Sequence, residues 1–531
     1  MIRINEIKMP LEHTAGELKN KILKLLHAEE KDITEFSVYK KSIDSRKKDD
    51  ICFVYSVDVS LSSDEEKVLL RLPQNKAVRV EKYKYEMPEN KRNSQFRPVI
   101  VGFGPAGIFA ALTLARAGLK PIVLERGRDV DTRTKDVKCF WASRELDTSS
   151  NVQFGEGGAG TFSDGKLNTG TKSPLIRHVL DEFVLHGAPE EIAYDAKPHI
   201  GTDKLVSVVK NLREEIISLG GEVKFGARLS DIIVYNKFIQ GVSYEQDGKS
   251  VDIETDCVIL AIGHSARDTV RMLHAKGINM QQKAFSVGCR IEHKREFIDK
   301  TQYGKFASHP TLGAADYKMA CHPPHSRGLY TFCMCPGGTV VAATSEYHGV
   351  VVNGMSEYAR DGKNSNSALL VGIEPEDFNS DDVLYGIKLQ EEIEHKAFNA
   401  GGGDYTAPCQ LVGDFLENRK STRIGEVKPS YPMGTEPSDI RLVMPEKVTR
   451  TLDEGLRKMG NMMDGFAMPE AVLTFPESRS SSPVRILRDE FFQTNIRGLY
   501  PCGEGGGYAG GITSAAVDGI RCAHAVLDDE T

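Results

Sequence analysis

Residues 1–95 alternate short β-type runs with one amphipathic stretch. Alternating apolar and polar positions predict strands in IRINEIKM, ITEFSVYKKSI and DICFVYSVDVSL, and the spacing from Ala15 to His27 predicts a helix. Residues 88–97, PENKRNSQFR, are charged and rich in loop-forming residues, as expected of an exposed connection between domains. The pattern predicts a small N-terminal α+β domain followed by a linker.

A different pattern begins at residue 97, where continuous apolar runs replace the alternation. In RPVIVGFGPAGIFAALTLARAGLKPIVLERG, PVIVGF is typical of a buried parallel strand, and the next dozen residues repeat apolar positions at helical spacing. KPIVLE is typical of a second strand, and it ends in an acid. This order of strand, helix and strand predicts a parallel α/β unit.

Further strands are predicted downstream of this unit. GGEVKFGARLSDIIVY, residues 220–235, has the pattern of paired strands with a turn, and DCVILAIGHSARD, residues 256–268, begins as an apolar strand. From about residue 284 to 350 the runs are short and β-rich, and VLYGIKLQEEIEHKAFNA and PEKVTRTLDEGLRKM then predict helices.

These patterns predict an α/β fold with an insertion. We expect a substrate or cap domain of β-rich α+β type over residues 284–465. It would separate two parts of the α/β domain, residues 96–283 and 466–531. A chain of 531 residues exceeds what one hydrophobic core usually serves, which agrees with several domains.

Composition and charge narrow the class of protein. With 40% hydrophobic and 27% charged residues the chain resembles an ordinary globular protein, and a net charge of -7 gives no reason to expect a nucleic-acid or membrane surface. No apolar signal segment opens the chain and no run approaches the ~18 apolar residues that cross a bilayer, so a cytoplasmic location is expected. The ten cysteines are expected to be reduced, and their spacings predict no zinc site.

The N-terminal unit carries basic clusters such as SRKK at 45–48, which raise an RNA-binding interpretation. Residues 1–95 contain 19 Lys and Arg against 17 Asp and Glu. This near balance favours a solvated face over a nucleic-acid partner.

The first α/β unit contains the spacing G-x-G-x-x-G. Gly102 permits the tight turn, Gly104 lets the backbone reach a pyrophosphate at the helix N-terminus, and Gly107 lets the helix lie close on the strand. Glu125, 18 positions after Gly107, stands where a carboxylate can accept hydrogen bonds from a ribose. The unit predicts a dinucleotide site, and it leaves NAD and FAD both open because they share adenosine and pyrophosphate. Further candidate contacts are Pro105, Ala106 and Arg126.

Two more segments are rich in glycine. They are SNVQFGEGGAGTFSDGKLNTG, residues 150–170, which we call the glycine loop, and GLYPCGEGGGYAGGITSAA, residues 498–516, which we call the C-terminal glycine segment. Glycine loses more conformational entropy on folding than any other residue, so such clusters need a backbone reason, such as a positive φ or a ligand that approaches the main chain closely. A flexible surface loop is the alternative in both cases.

Through GFGPAG, GARLSDI, LAIG and GLYPCGE the sequence resembles the two-dinucleotide-binding-domain flavoproteins, the glutathione reductase superfamily in the broad sense. The resemblance implies FAD as the cofactor, held by a Rossmann-type FAD-binding domain with three layers (ββα): two of β-sheet and one of α-helices. It implies that the helix after the C-terminal glycine segment points its N-terminus at the flavin pyrimidine, where N–H groups stabilise the charge that reduction creates.

The same resemblance implies cofactor contacts elsewhere in the chain. GARLSDI would lie beside the adenine, LAIG would return to the cofactor, and the glycine loop would pass the flavin. Glu504 stands where Asp is more common in the superfamily. The implied contacts are Gly157, Gly158, Thr161, Ser163, Asp164, Gly165, Arg228, Leu229, Ala261, Gly263, Gly503, Glu504, Gly510, Gly511 and Ile512.

The sequence resembles even more closely a group of poorly characterised bacterial FAD-dependent dehydrogenase-like proteins. The resemblance covers most of residues 97–531, and its motifs include NVQFGEGGAGTFSDGKL, VGCRIEH, FCMCPGG, NGMSEYARDG and SPVRILRDE. We therefore expect an FAD-dependent oxidoreductase that transfers hydride between an unidentified small organic substrate and FAD. The alternative is an FAD-containing protein of RNA modification or assembly, with the N-terminal unit as its docking module.

The inserted domain contains no second G-x-G-x-x-G after a strand. A separate nicotinamide domain is therefore not expected, and NAD(P)H would dock transiently at the flavin face or take no part. Flavins accept hydride by themselves, so the sequence assigns no catalytic residue. The oligomeric state is not predicted.

Two features of the later chain leave alternatives open. Cys333 and Cys335 form C-x-C, near Cys321, His322 and His325, and are either a redox or persulfide pair or two buried small apolar residues. In ESRSSSPVR, Arg479 and Arg485 either bind a substrate carboxylate near the flavin or hold the domain interface together.

Overall fold

A computed structural model describes residues 1–62, 65–73, 75–324 and 326–530. Within those ranges, no helix combines the length and the apolar character needed to span a bilayer.

The N-terminal unit is an antiparallel sheet with a helix against it. Its strand order is β2-β3-β1-β4, and its first helix begins with a capping box in which Thr14 and Glu17 bond each other's backbone N–H. Its apolar core is continuous with that of the inserted domain. The elements are β1 Ile2–Met9, α1 Ala15–Leu26, β2 Ile33–Asp44, β3 Cys52–Leu61, α2 Glu65–Leu69 and β4 Ala77–Arg79.

The next part of the chain builds the first half of the α/β domain. Its elements are β5 Val99–Val101, α3 Pro105–Arg116, β6 Ile122–Glu125, α4 Val130–Ser143, α5 Leu175–Leu185, α6 Thr202–Ser218, β7 Glu222–Phe225, β8 Arg228–Tyr235, β9 Phe238–Gln246, β10 Lys249–Glu254, β11 Val258–Leu260, α7 Arg267–Ala275 and β12 Met280–Gln282.

The inserted domain follows, and the chain then returns to the α/β domain. The elements are β13 Phe285–Lys294, α8 Arg295–Tyr303, β14 Ala320–Cys321, β15 Leu329–Cys335, β16 Thr339–Ala342, β17 Val352–Met355, β18 Asn364–Ile373, α9 Tyr385–Ala400, β19 Ala407–Leu411, α10 Val412–Leu416, β20 Thr435–Pro437, α11 Glu446–Met462, β21 Val472–Glu477, β22 Val484–Ile486, β23 Leu499–Pro501 and α12 Ile512–Asp528.

The α/β domain has the three layers that the sequence predicts. Its parallel sheet has the order β23-β11-β5-β6-β7, and a second, antiparallel sheet has the order β10-β9-β8. Because side chains alternate along a strand, Val99 and Val101 of β5 pack toward the antiparallel sheet, whereas Ile100 packs toward the helices. Strand β11 divides in the same way, with Ile259 on the helical side. The α/β, Rossmann-type fold is thereby confirmed.

The inserted domain is built on a sheet of order β14-β15-β18-β13-β21-β19-β20. Strands β12 and β22 pair with each other and connect the two domains. Strand β21 is central in this sheet, although the sequence assigns residues 466–531 to the α/β domain. That placement is corrected, because a buried apolar strand does not reveal which sheet it joins.

Two other expectations differ from the structure. The strands predicted as a pair in residues 220–235 exist, but β7 joins the parallel sheet beside β6, whereas β8 pairs with β9. The linker is not simply exposed, since Arg92 is buried and Arg92 and Ser94 both bind the Asp256 carboxylate.

Candidate functional site: a cleft of bare main chain beside a thiol pair

The turn between β5 and α3 is packed as G-x-G-x-x-G predicts. Gly102 has φ +97°, and a Cβ there would lie 2.3 Å from the carbonyl oxygen of Ala261. A Cβ on Gly107 would lie 1.9 Å from the carbonyl oxygen of Gly102. Helix α3 then starts after Gly104 with no side-chain cap from the described residues and with Pro105 in its first turn. Its N-terminus therefore presents main chain and a positive dipole end, as an anion site requires.

The glycine loop lies against this turn. Gly158 has φ +63°, and a Cβ there would lie 3.0 Å from the Cα atom of Gly104. A Cβ on Gly160 would lie 3.1 Å from Cγ1 of Ile512, the first residue of α12. The loop thus contacts the N-termini of α3 and α12 together.

The C-terminal glycine segment reaches the same place. Strand β23 pairs in parallel with β11, and a Cβ on Gly503 would lie 2.8 Å from Cβ of Ala106 in α3. A Cβ on Gly510 or Gly511 would find no atom of the described residues within 4 Å, and no side chain among those residues caps α12. Three stretches that are far apart in sequence therefore share one cleft.

A small apolar cavity marks the meeting point. Its volume is about 10 Å³. Residues of all three stretches line it, among them Pro105, Gly157, Gly160, Thr161 and Ile512.

Glu125 ties the first turn to the glycine loop. Its carboxylate is buried and accepts hydrogen bonds from the backbone N–H groups of Phe103 (2.8 Å), Gly127 (2.9 Å) and Gly155 (2.9 Å). In this structure the carboxylate organises protein backbone, and its contact with a ribose stays a prediction.

The residues expected near the adenine form ion pairs. Arg126 donates to Asp268 at 2.9 Å, and Arg228 donates to Asp268 at 3.3 Å and to Glu245 at 2.6 Å. Leu229 is buried in the core between the two sheets of the α/β domain. Their contact with a cofactor stays a prediction.

Arg133 is a central residue that the sequence did not indicate. Its side chain is fully buried in α4 and donates to five carbonyl groups of the glycine loop, those of Asn151, Val152, Gly155, Glu156 and Gly158. Burial lowers the pKa of Arg133 to about 10, against the attraction of nearby carboxylates. One guanidinium therefore holds the shape of the loop, and no motif marks an arginine for such a role.

Glu156 is a second buried charged group of the loop. Its carboxylate accepts from the backbone N–H of Val130 at 2.7 Å and from Arg213 at 2.9 Å. Burial raises its pKa to about 6 despite these donors.

Downstream in the loop, polar groups face the inserted domain. Ser163 donates to the carbonyl of Gly160 at 2.6 Å and accepts from the N–H of Gly165. Asp164 is buried and pairs with Arg360 (2.9 Å) and Lys166 (3.3 Å). Burial opposes the charge on Asp164, but these two cations outweigh it and lower the pKa of the carboxyl group.

At the other side of the cleft, Glu504 contacts His264. Oε2 of Glu504 lies 3.1 Å from Nδ1 of His264, and Nε2 of the same ring is buried with no hydrogen-bond partner in the described residues. Gly263, which precedes His264, has φ +69° and packs against Gly505. His264 belongs to the segment DCVILAIGHSARD, but the sequence assigns it no role.

The residues that the sequence left with alternative roles lie in different surroundings. Arg479 is buried and binds Glu394, Glu346 and Ser345 of the inserted domain, and Glu394 in turn accepts from Arg267 of the α/β domain at 2.8 Å. Arg485 keeps a buried Nε atom with no hydrogen-bond partner in the described chain. Cys321 donates to the carbonyl of Gly455 at 3.6 Å, and His325 lies outside the described residues.

Comparisons with known proteins bear on the cofactor. Residues 284–480 match a family described as FAD-dependent protein, C-terminal domain-like, and residues 1–60 match a domain of unknown function. The prediction of FAD as the cofactor is confirmed by the first match. The comparisons give no support to the RNA alternative, and the glutathione reductase superfamily in particular stays a prediction.

The similar proteins include relatives found by sequence and solved structures with a similar fold. An uncharacterized protein from Clostridium beijerinckii is 48% identical over 532 residues, covering 99% of this chain and 98% of its own length. A thiamine thiazole synthase from Methanococcus vannielii is 28% identical over 32% of this chain and 56% of its own length. Among solved structures, a flavoprotein/dehydrogenase from Cytophaga hutchinsonii is 13% identical over 81% of this chain and 78% of its own, with a TM-score of 0.36. This chain belongs to the same family as the Clostridium beijerinckii protein, and it carries an FAD-dependent protein, C-terminal domain-like region.

Proposed function

We propose that this chain is an FAD-dependent oxidoreductase that transfers hydride between bound FAD and a small organic substrate. The observation that carries the proposal is the shared cleft. There the uncapped N-termini of α3 and α12 meet the glycine loop, and all three surfaces are bare main chain.

The residues of the cleft fit such a cofactor. The N-terminus of α3 at Gly104 would hold the pyrophosphate, because helix N–H groups and the dipole favour an anion there. The N-terminus of α12 at Ile512 would face the flavin pyrimidine. FAD supplies the hydride acceptor when bound, and the chain's own part is to bind, orient the substrate and exclude water.

The contacts of the inserted domain with the glycine loop support a substrate site between the two domains. Gln153 of the glycine loop donates to the carbonyl of Ala343 at 3.1 Å, and Arg360 pairs with Asp164 of the same loop. The two domains thus close on each other along the loop. A substrate bound between them would be enclosed, which supports a small molecule rather than a polymer.

Cofactor content and reduction test the proposal. The protein is purified, the flavin is released by denaturation and identified by chromatography, and the bound flavin is reduced by light and by dithionite. We expect stoichiometric FAD whose visible absorption is lost on reduction. A chain that neither retains FAD nor takes it up from solution would refute the proposal.

The electron donor is tested separately by stopped-flow mixing with NADH and NADPH. Because the inserted domain contains no G-x-G-x-x-G after a strand, we expect reduction to be slow and not saturable with both nucleotides. Such a result would indicate an organic molecule as the donor. Fast saturable reduction by either would show that a nicotinamide binds at the flavin face.

A further inference from the structure

Cys333 and Cys335 lie at a bulge in β15. Phe332 pairs with Ala368 of β18 but Cys335 pairs with Asn366, so β15 contains one extra residue at this point. Cys333 has φ +39°, a strained value for a residue with a side chain. It is half-buried, whereas Cys335 is fully buried. The bulge therefore gives the two thiols different access to solvent.

The thiol of Cys335 donates a hydrogen bond to the backbone of Cys333 at this bulge. Sγ of Cys335 lies 3.3 Å from the carbonyl oxygen of Cys333. A hydrogen bond from Cys335 is the main cause that lowers the pKa of Cys333, while the pKa of Cys335 is raised by the same interaction. Cys333 therefore has the lower pKa of the two thiols, and Cys335 has the higher one.

Cations surround the pair on two sides. Arg290 is fully buried, and its Nη1 atom lies 2.8 Å from the carbonyl oxygen of Cys333 and 3.9 Å from Sγ of Cys335. Glu477 binds the far side of Arg290 at 3.1 Å. From the glycine loop, Lys166 favours and Asp164 opposes the thiolate of Cys333.

The pair is also joined to the candidate cofactor cleft. Lys166 and Asp164 belong to the glycine loop, and Arg360, which binds Asp164, packs its backbone against Gly337, two residues after Cys335. Nothing in the FAD chemistry proposed above uses these sulfurs. Two neighbouring thiols with different pKa values, beside the guanidinium of Arg290, are suited to stepwise exchange with a disulfide.

We propose that Cys333 and Cys335 are a dithiol centre that reduces a low-molecular-weight disulfide. The thiolate of Cys333 attacks one sulfur of the substrate, the substrate S–S bond breaks, and one substrate thiolate leaves. Cys335 gives its proton to that thiolate and attacks Sγ of Cys333, which breaks the mixed disulfide and releases the second half of the substrate as a thiolate that takes up a proton from solvent. Two protein thiols are oxidised to one disulfide, and the substrate disulfide is reduced to two thiols.

Return of the pair to the dithiol rests on the proposed function. Reduced FAD would supply two electrons and, with solvent, two protons to the Cys333–Cys335 disulfide. The exchange itself needs no flavin, so the two ideas can fail separately.

The test uses single-turnover exchange with dithionitrobenzoate as the probe disulfide. The full chain carries Cys139→Ser and Cys52→Ser, which remove the exposed thiol and the half-buried thiol that lie outside the pair. The reduced, desalted protein should release two thionitrobenzoates per chain, and peptide mass spectrometry should find a Cys333–Cys335 disulfide. Cys335→Ser should stop at one release, with the probe trapped on Cys333.

Three outcomes overturn the proposal. These are an unmodified Cys333 in the Cys335→Ser variant, release that is as fast in Cys333→Ser as in its parent, and no disulfide between the two cysteines in the unaltered chain. Iodoacetamide labelling of Cys333 in the unaltered chain guards against misfolded variants. The labelling rate of Cys333 at pH 7 should equal the maximal rate reached at high pH. An ordinary thiol with a pKa of about 8.5 has lost most of its reactivity at pH 7.

Electron transfer from reduced FAD to the Cys333–Cys335 disulfide is measured afterwards in the same protein. Photoreduced FAD should be reoxidised anaerobically when the Cys333–Cys335 disulfide is present and not when both sulfurs are alkylated. Equal reoxidation in both samples would refute the link between the pair and FAD. Absence of FAD, with exchange intact, would refute the proposed function alone.

Discussion

Replacing Gly104 by alanine isolates the close approach of a cofactor to the main chain. Gly104 has φ -80° and ψ -174°, values that alanine adopts without strain, and a Cβ there would find its nearest described atom, Cα of Gly158, at 3.6 Å. The protein itself therefore has room for the methyl group. A pyrophosphate that lies against this backbone does not, because the second glycine of G-x-G-x-x-G is required for that approach.

The expected effect separates stability from binding. Without flavin, Gly104→Ala should change the free energy of unfolding by less than about 0.5 kcal/mol, the usual range for a substitution that meets no neighbour. The dissociation constant for FAD should rise at least about tenfold, which is ~1.4 kcal/mol of binding free energy. The measurements are urea unfolding of the flavin-free chain and titration with FAD followed by flavin fluorescence.

Two other glycines serve as controls. Gly158→Ala should cost about 1–2 kcal/mol of stability even without FAD, because φ is +63° and its Cβ would lie 3.0 Å from Cα of Gly104. Gly277→Ala carries a similar backbone strain at φ +77°, but its Cβ would meet no described atom within 4 Å, so it should leave FAD affinity unchanged. Parent-like FAD affinity in Gly104→Ala would refute the placement of the pyrophosphate.

The remaining predictions concern the supports of the cleft. Arg133→Lys replaces a guanidinium that donates to five carbonyl groups by an ammonium group with at most three donors. The free energy of unfolding, measured in urea, should fall by about 2–4 kcal/mol. An unchanged urea midpoint would contradict the role given to Arg133. Because burial raises the pKa of Glu156 from 4.5 to about 6, its contribution to stability is full below pH 4.5 and is lost as the pH rises through about 6. Glu156→Gln should remove about 2 kcal/mol of this pH dependence, and a stability–pH curve identical to that of the parent would show that the carboxyl is not the cause. Deletion of residues 1–95 should yield an aggregating chain, because it uncovers a core shared with the inserted domain; a soluble, FAD-binding truncation would show that the unit is dispensable.

The sequence predicted the parts of the cofactor domain whose causes are local. The β5–α3–β6 unit follows from one apolar strand, one helical repeat and three glycines, and the atoms that exclude a side chain at Gly102 and Gly107 lie within a few residues or across one strand. The expectation that the glycine loop and the C-terminal glycine segment share a cleft also holds, since both are bare main chain at uncapped helix N-termini.

The sequence did not predict features that depend on distant partners. Strands β7 and β8 have ordinary strand patterns, but only their long-range pairing decides that they enter different sheets. Arg133 lies in a polar helix, where a charged residue is normally solvent-exposed, and its burial depends on carbonyl groups that a turn of the glycine loop brings together. The ion pair between Arg92 and Asp256 is likewise not predictable from the sequence, because the two residues meet only in the folded chain.

The contacts between the domains bear on how the cleft works. Glu394 of α9 is buried between Arg267 of α7, at 2.8 Å, and Arg479, at 2.7 Å, so a carboxylate of the inserted domain is held from two directions. The pKa of Glu394 is lowered because these two cations outweigh the effect of its burial. Separating one partner from a buried ion pair costs about 3–5 kcal/mol. A motion that parts the domains on this side would incur that cost, and the same holds along the glycine loop, where buried Asp164 pairs with Arg360 of the inserted domain at 2.9 Å. Buried ion pairs therefore hold the inserted domain to the α/β domain both at Glu394 and along the glycine loop.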